Sequence, residues 1–95
     1  WVLYDLSPRH SALPEGMWKS RHAQLGARQG RNSYGGLGYG GPKPPEGDGP
    51  HRYFFRLFAL SQPPNLPPGA EAHELYRAII RTRLGTAELM GTYCR

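Results

Sequence analysis

His51 and Tyr53 stand two residues apart at the start of the run His51-Arg52-Tyr53-Phe54-Phe55-Arg56-Leu57-Phe58-Ala59-Leu60, so on an extended chain they share a face. Directly before them, residues 26–50 hold nine glycines and four prolines. Glycines let backbone N–H groups approach a ligand, and an imidazole beside a phenol can donate to its oxygens, so the combination describes a small anion pocket. At this level a plainer reading is favoured over it: a core histidine bonded to a loop carbonyl, with Tyr53 as ordinary sheet packing.

Other chemistry has less behind it. Gly36-Leu37-Gly38-Tyr39-Gly40-Gly41 formally fits the G-x-G-x-x-G pattern of dinucleotide binding, but that pattern must open a helix, and Pro42, Pro44 and Pro45 follow at once. Nothing marks Ser7, Ser11, Ser20, Ser33 or Ser61 as an activated nucleophile. Cys94 reads as a bland side chain near the end of the chain. His10, His22 and His73 have no metal-ligand spacing and read as solvated. Arg52 and Arg56 between aromatics have the look of an RNA-binding sheet, but a run apolar on both faces suits a buried strand better than a stacking platform, so no nucleic-acid partner is expected.

The elements that must position these residues are bounded by composition. The chain has 95 residues, 13 Gly and 10 Pro, with 38% hydrophobic residues and a net charge of +5. That allows one domain with a modest core and makes a deep enclosed active site a stretch. The charge permits anionic partners without demanding them. A single cysteine excludes an internal disulfide and a multi-cysteine zinc site, no stretch approaches the ~20 apolar residues of a membrane span, and neither a cofactor nor a metal is expected. The opening Trp1-Val2-Leu3-Tyr4, without an initial Met, reads as a piece of something longer.

Residues 1–6 read as a strand, 7–25 as an irregular connection and 26–50 as an ordered loop with positive φ at several glycines. Residues 51–60 are the strongest strand, apolar enough to sit in the middle of a sheet. Pro63-Pro64 and Pro67-Pro68 interrupt regular structure. Residues 70–83 make an amphipathic helix with Ala72, Leu75, Tyr76, Ile79 and Ile80 on one side, acidic residues early and arginines late, ended by Gly85. Residues 86–93 alternate as a last strand.

The segment Tyr39-Gly40-Gly41-Pro42-Lys43-Pro44-Pro45-Glu46-Gly47-Asp48-Gly49-Pro50-His51-Arg52-Tyr53-Phe54-Phe55 closely resembles the central signature of the phosphatidylethanolamine-binding protein family, in its bacterial Raf-kinase-inhibitor-like branch. Trp1-Val2-Leu3-Tyr4-Asp5, Leu13-Pro14-Glu15-Gly16, Gly30-Arg31-Asn32-Ser33-Tyr34-Gly35 and Ala87-Glu88-Leu89-Met90-Gly91-Thr92-Tyr93 resemble further stretches of that branch. The resemblance covers the C-terminal part of the family domain. It implies a mainly β protein, an antiparallel β-sandwich with one short C-terminal helix, here a single incomplete domain over residues 1–95 lacking the N-terminal strands. The family's D-P-D-x-P loop, and the His preceding the Trp matched by Trp1, are absent from these residues.

By the same resemblance Gly41, Pro45, His51 and Tyr53 line a pocket for small phosphate-like anions or a phospholipid headgroup, with His51 donating to a ligand oxygen and Gly41 giving backbone access. Lys43 stands where this branch commonly has Cys, adding a charge at the rim. Ser33 replaces an Asp, weakening the expected bonding of its turn, and Thr82 falls where a His is common. The implied function is a non-enzymatic binding module that regulates protein partners, a kinase-type partner resting on family analogy alone. Two alternatives stand beside it: a hydrolase using His51 as acid/base, and a remnant without ligand binding. A cytoplasmic location is expected, or a periplasmic one given an upstream signal peptide. Unpaired strand edges lead us to expect self-association, as a homodimer, or instability of these 95 residues alone.

Overall fold

The computed structural model describes residues 1–15 and 26–95. Gly16, Ser20 and His22, named above, lie outside the described residues. The elements in chain order are β1 (Leu3–Tyr4), β2 (Arg28–Gln29), β3 (His51–Leu60), α1 (Ala72–Thr82) and β4 (Arg83–Tyr93). They form two antiparallel two-stranded sheets, β1 with β2 and β3 with β4.

β1 is shorter than the strand expected over residues 1–6. Asp5 has φ 59°, a left-handed conformation that Asp tolerates better than most residues, and it takes the chain out of the ladder. Its carboxylate meets Arg28 Nε at 3.4 Å, tying the turn back to β2. β2 itself has no alternation that would mark it, being Arg-Gln within the glycine-rich stretch. It exists because both its edges are satisfied. Leu3 and Tyr4 pair on one side, and on the other the Gly69 N–H donates to the Gln29 carbonyl (3.0 Å) while the Arg31 N–H donates to that of Ala70 (2.9 Å).

Around this seam sits the main core: buried Tyr4, Ala70, Leu75 and Ile79, with Val2, Phe58, Leu60 and Leu66 packed against them. Burying Leu75 and Ile79 is worth about 1.5–3 kcal/mol each. The helix places them one turn apart, as its periodicity requires, and Glu74 Oε1 accepts the Glu71 N–H at 3.3 Å at its first turn. The apolar side expected for the helix is only half used: Tyr76 and Ile80 are exposed, Ile80 by 66%. α1 crosses one end of a two-stranded sheet, which is too narrow to cover the second row of side chains. The helix also stops at Thr82 and not at Gly85, because Arg83 is already extended (φ −62°, ψ 126°) as the first residue of β4. The Ser61 N–H takes the freed Thr82 carbonyl at 2.8 Å.

The largest correction concerns β3. Its sequence asks for the middle of a sheet, yet among the described residues it pairs with β4 alone, from His51 opposite Tyr93 to Leu60 opposite Arg83, with one register shift between Ala59 and Leu60. Phe54, Phe55 and Leu57 are exposed, Leu57 by 66%. Cover reaches only the ends of the strand: His51 and Tyr53 are half-buried at the start, and Phe58 and Leu60 meet the α1 core at the finish. Burial was also the ground for setting RNA binding aside, and that ground does not hold. What covers Phe54 instead is arginine, with the Arg52 and Arg56 guanidinium carbons 5.7 and 5.5 Å from its ring centroid. Arg56 in turn pairs with its cross-strand neighbour Glu88 at 2.7 Å.

The opposite face is wholly different. Beyond the His51–Tyr93 pair at its head, Tyr53, Phe55, Leu57 and Ala59 oppose Gly91, Leu89, Ala87 and Gly85, an apolar stretch. An open face of this kind on a two-stranded sheet associates in water. Sedimentation velocity across a dilution series should show the 95-residue chain self-associating; a concentration-independent monomer that melts cooperatively would overturn this expectation.

Candidate functional site

The site is built on the loop between β2 and β3, and Asn32 organises its first half. Asn32 Oδ1 accepts the N–H groups of Tyr34 (3.0 Å) and Gly36 (3.1 Å), and Nδ2 donates to the Gly38 carbonyl (3.0 Å). The Asn32 backbone adds a pair with Gly36 O and Gly35 N at 2.8 and 3.1 Å. Gly35 and Gly38 take φ 88° and 83°, which an L side chain resists, so the turn needs glycine at both. Asn32 makes the bonds expected to suffer from Ser33, which is exposed. Substituting Asp by Ser at that neighbour therefore leaves the turn intact.

This turn aims Tyr34 across the loop, where its hydroxyl donates to the Gly41 carbonyl at 3.0 Å and its ring lies against Gly40. A Cβ on Gly40 would fall 2.8 Å from that ring, so the close approach requires a glycine. Tyr39 packs edge-on against Trp1 with centroids 5.1 Å apart, and Trp1 Nε1 donates to Gln29 Oε1 at 2.6 Å. These aromatic contacts hold the glycine-rich stretch in the ordered form expected of residues 26–50. Tyr34, Gly40, Gly41, Pro42 and Lys43 enclose an open recess of about 500 Å³.

The second half of the loop is held from the far end of the chain. Arg95 Nε donates to the Pro44 carbonyl at 2.7 Å, and the Arg95 carbonyl accepts the Gly47 N–H at 3.2 Å. A turn over Pro45–Asp48 closes with the Asp48 N–H on the Pro45 carbonyl (3.3 Å), and Gly47 in its third position has φ 74°. Gly49, at φ 80°, then leads into β3. This brings the Asp48 carboxylate to the His51 ring, with Oδ2 and Nε2 2.6 Å apart and both side chains partly exposed.

Of the four residues singled out in the sequence, Gly41 lines the recess, with no atom within 4 Å of where a Cβ would stand. Pro45, His51 and Tyr53 are not among its lining residues; Pro45 sits in the turn, and His51 and Tyr53 share one face at the head of β3. Lys43 lines this recess beside Gly41. Three further residues emerge only in three dimensions. Asp48 had a local signal, three residues before His51; Asn32 had its place in the turn; Arg95, some fifty residues from Pro44, had none. Among the described residues, no group of three His, Cys, Asp or Glu could hold a metal ion, and no helix is long and apolar enough to cross a membrane.

Known proteins resemble this chain over most of its length. A UPF0098 protein of Aquifex aeolicus is 42% identical over all of this chain and 56% of its own length, and one of Methanothermobacter thermautotrophicus is 41% identical over all of this chain and 62% of its own. The chain thus spans between about half and two thirds of the length of these curated relatives. The crystal structure of Escherichia coli YbcL, described as a new member of the mammalian PEBP family, superposes with a TM-score of 0.64 at 35% identity, over 74% of this chain and 43% of that one. The family model for phosphatidylethanolamine-binding proteins matches residues 1–94. A match over that span, carried by relatives and by a solved fold alike, means that this chain belongs to the phosphatidylethanolamine-binding protein family.

Proposed function

We propose that this chain is a non-catalytic binding module for a small anion of the phosphate type. His51 donates to a ligand oxygen, Gly41 admits the ligand to the backbone, Pro45 and Tyr53 flank it, and Lys43 adds long-range attraction at the rim. The observation that supports this most is the loop carrying the 39–55 signature: it is tied by Asn32, Tyr34 and Arg95 and delivers a partly exposed imidazole at the head of β3. We further propose that the domain is an antiparallel β-sandwich in which other strands cover the apolar face of the β3–β4 sheet. Regulation of a protein partner, of the kinase type by family analogy, would be read out through that ligand.

Hydrolysis with His51 as acid/base has weaker support. In a nucleophilic triad the carboxylate holds Nδ1 and leaves Nε2 for the nucleophile. Here the carboxylate is on Nε2.

Titrating inorganic phosphate, phosphoethanolamine and vesicles bearing phosphatidylethanolamine against the chain, with the His51 ring resonances as readout, tests the proposal and separates a free anion from a headgroup. His51→Ala, removing a hydrogen bond to a charged group worth about 1.5–3 kcal/mol, should weaken binding by about tenfold or more. Affinities of the parent and of His51→Ala are compared by calorimetry, and unchanged affinity in His51→Ala would remove that residue from the site.

A further inference from the structure

The contact between Asp48 and His51 restricts what the imidazole can do. A carboxylate only accepts hydrogen bonds, so at 2.6 Å from Asp48 Oδ2 the Nε2 atom of His51 must carry the proton. A neutral imidazole has one N–H donor and one lone-pair nitrogen. Its donor is therefore engaged by Asp48, and Nδ1 presents a lone pair. The charged oxygens of an incoming anion also only accept, so they cannot bond to that lone pair. A charged oxygen must take the Nε2 proton in place of Asp48, or find the ring doubly protonated.

We infer that Asp48 is an intramolecular competitor in the anion site, a carboxylate that holds the Nε2 donor of the neutral His51 ring and must be displaced before a phosphate-type anion can take that donor. This rests on the anion-binding reading above and adds to it a competing residue that sets the site's affinity. The loop makes displacement feasible. Asp48 lies between Gly47 and Gly49, both at positive φ, and its side chain is 56% exposed, so it can swing into solvent without disturbing a core. The nearby cations are not shown holding Asp48 away from the ring: Lys43 lies on the rim of the recess, and Arg95 donates to the Pro44 carbonyl. A displaced carboxylate also repels a bound anion, so Asp48 discriminates against more highly charged ligands.

An exposed pair of this kind is worth a factor of about two to five. Asp48→Ala should therefore bind inorganic phosphate about two- to fivefold more tightly than the unsubstituted chain. Asp48→Asn, which keeps an acceptor but loses the charge, should fall between them. Titrations of all three proteins, followed by the His51 ring nitrogens, decide the matter. Equal or weaker phosphate binding by Asp48→Ala, with the unsubstituted chain binding normally, overturns the inference and leaves the anion-binding reading standing. Absence of any phosphate-dependent shift in all three overturns both. Without ligand, the ring nitrogens of the unsubstituted chain should report the proton on Nε2, and the Nε2 resonance should shift in Asp48→Ala as its hydrogen bond to the carboxylate is lost; an unmoved Nε2 resonance would also overturn the inference.

Discussion

Gly30→Ala should cost this protein most of its fold, although Gly30 has an ordinary φ and no chemical role. A Cβ at that position would lie 2.2 Å from the Ala70 carbonyl oxygen and 3.2 Å from Val2 Cγ2. The first neighbour is backbone and cannot rotate away. Relief requires moving the 69–70 segment off β2, which breaks the bonds from Arg31 N–H to Ala70 and from Gly69 N–H to Gln29. Ala70 belongs to the buried cluster with Tyr4, Leu75 and Ile79, so the seam and the core separate together. Overpacking plus two lost backbone bonds amounts to about 3 kcal/mol or more, a large fraction of what a small domain has in total. Circular dichroism should show a Tm lowered by on the order of 10 °C or more. Gly91→Ala, where a Cβ would meet nothing within 4 Å, is the control and should melt like the parent. Coincident melts for Gly30→Ala and the parent would show that the seam tolerates a side chain.

Tyr4→Phe should have the second largest effect. The ring stays and the core keeps its volume, but the hydroxyl is the only difference and it works twice. It donates to the Pro67 carbonyl and accepts the Ala70 N–H at 3.2 Å. Tyr4 is buried, so removing the hydroxyl leaves a donor and an acceptor without the partner they had and away from water. Stranding such groups costs about 1–3 kcal/mol, more than the net worth of the bonds themselves. Urea titration should give a lower midpoint with an unchanged slope, since no surface is newly exposed in the folded state. An unchanged midpoint would place solvent at Pro67 and Ala70. Both substitutions act on Ala70, so the double variant should lose less than the two losses added.

The two predictions concern a part of the molecule that the residues hardly announce. The helix over Ala72–Thr82 and the strands at 51–60 and 83–93 are periodic over ten residues or so, and each was legible to within a few residues of its ends. β2 was not, because two residues have no period. It is a strand only because β1 and the 69–70 segment supply partners for its backbone. The exposure of β3 could not be read either: apolar side chains on both faces state what the strand requires and not whether neighbours meet the requirement. The binding loop divides in the same way. His51 and Tyr53 follow from alternation, and Tyr39 through Phe55 from a signature in the chain itself. That Arg95 grips the loop at Pro44 depends on a contact across 51 positions.

Residue type and short-range spacing by themselves determined the family, the helix, the two long strands and the histidine at the centre of the candidate site, because each is written in consecutive residues. Tertiary structure alone decided that Gly30 must be a glycine, that among the described residues β3 has β4 as its one partner strand, and that Asp48 meets the Nε2 atom of His51. Those outcomes depend on which groups the folded chain brings within a few ångströms of one another, and on what is left for water to cover.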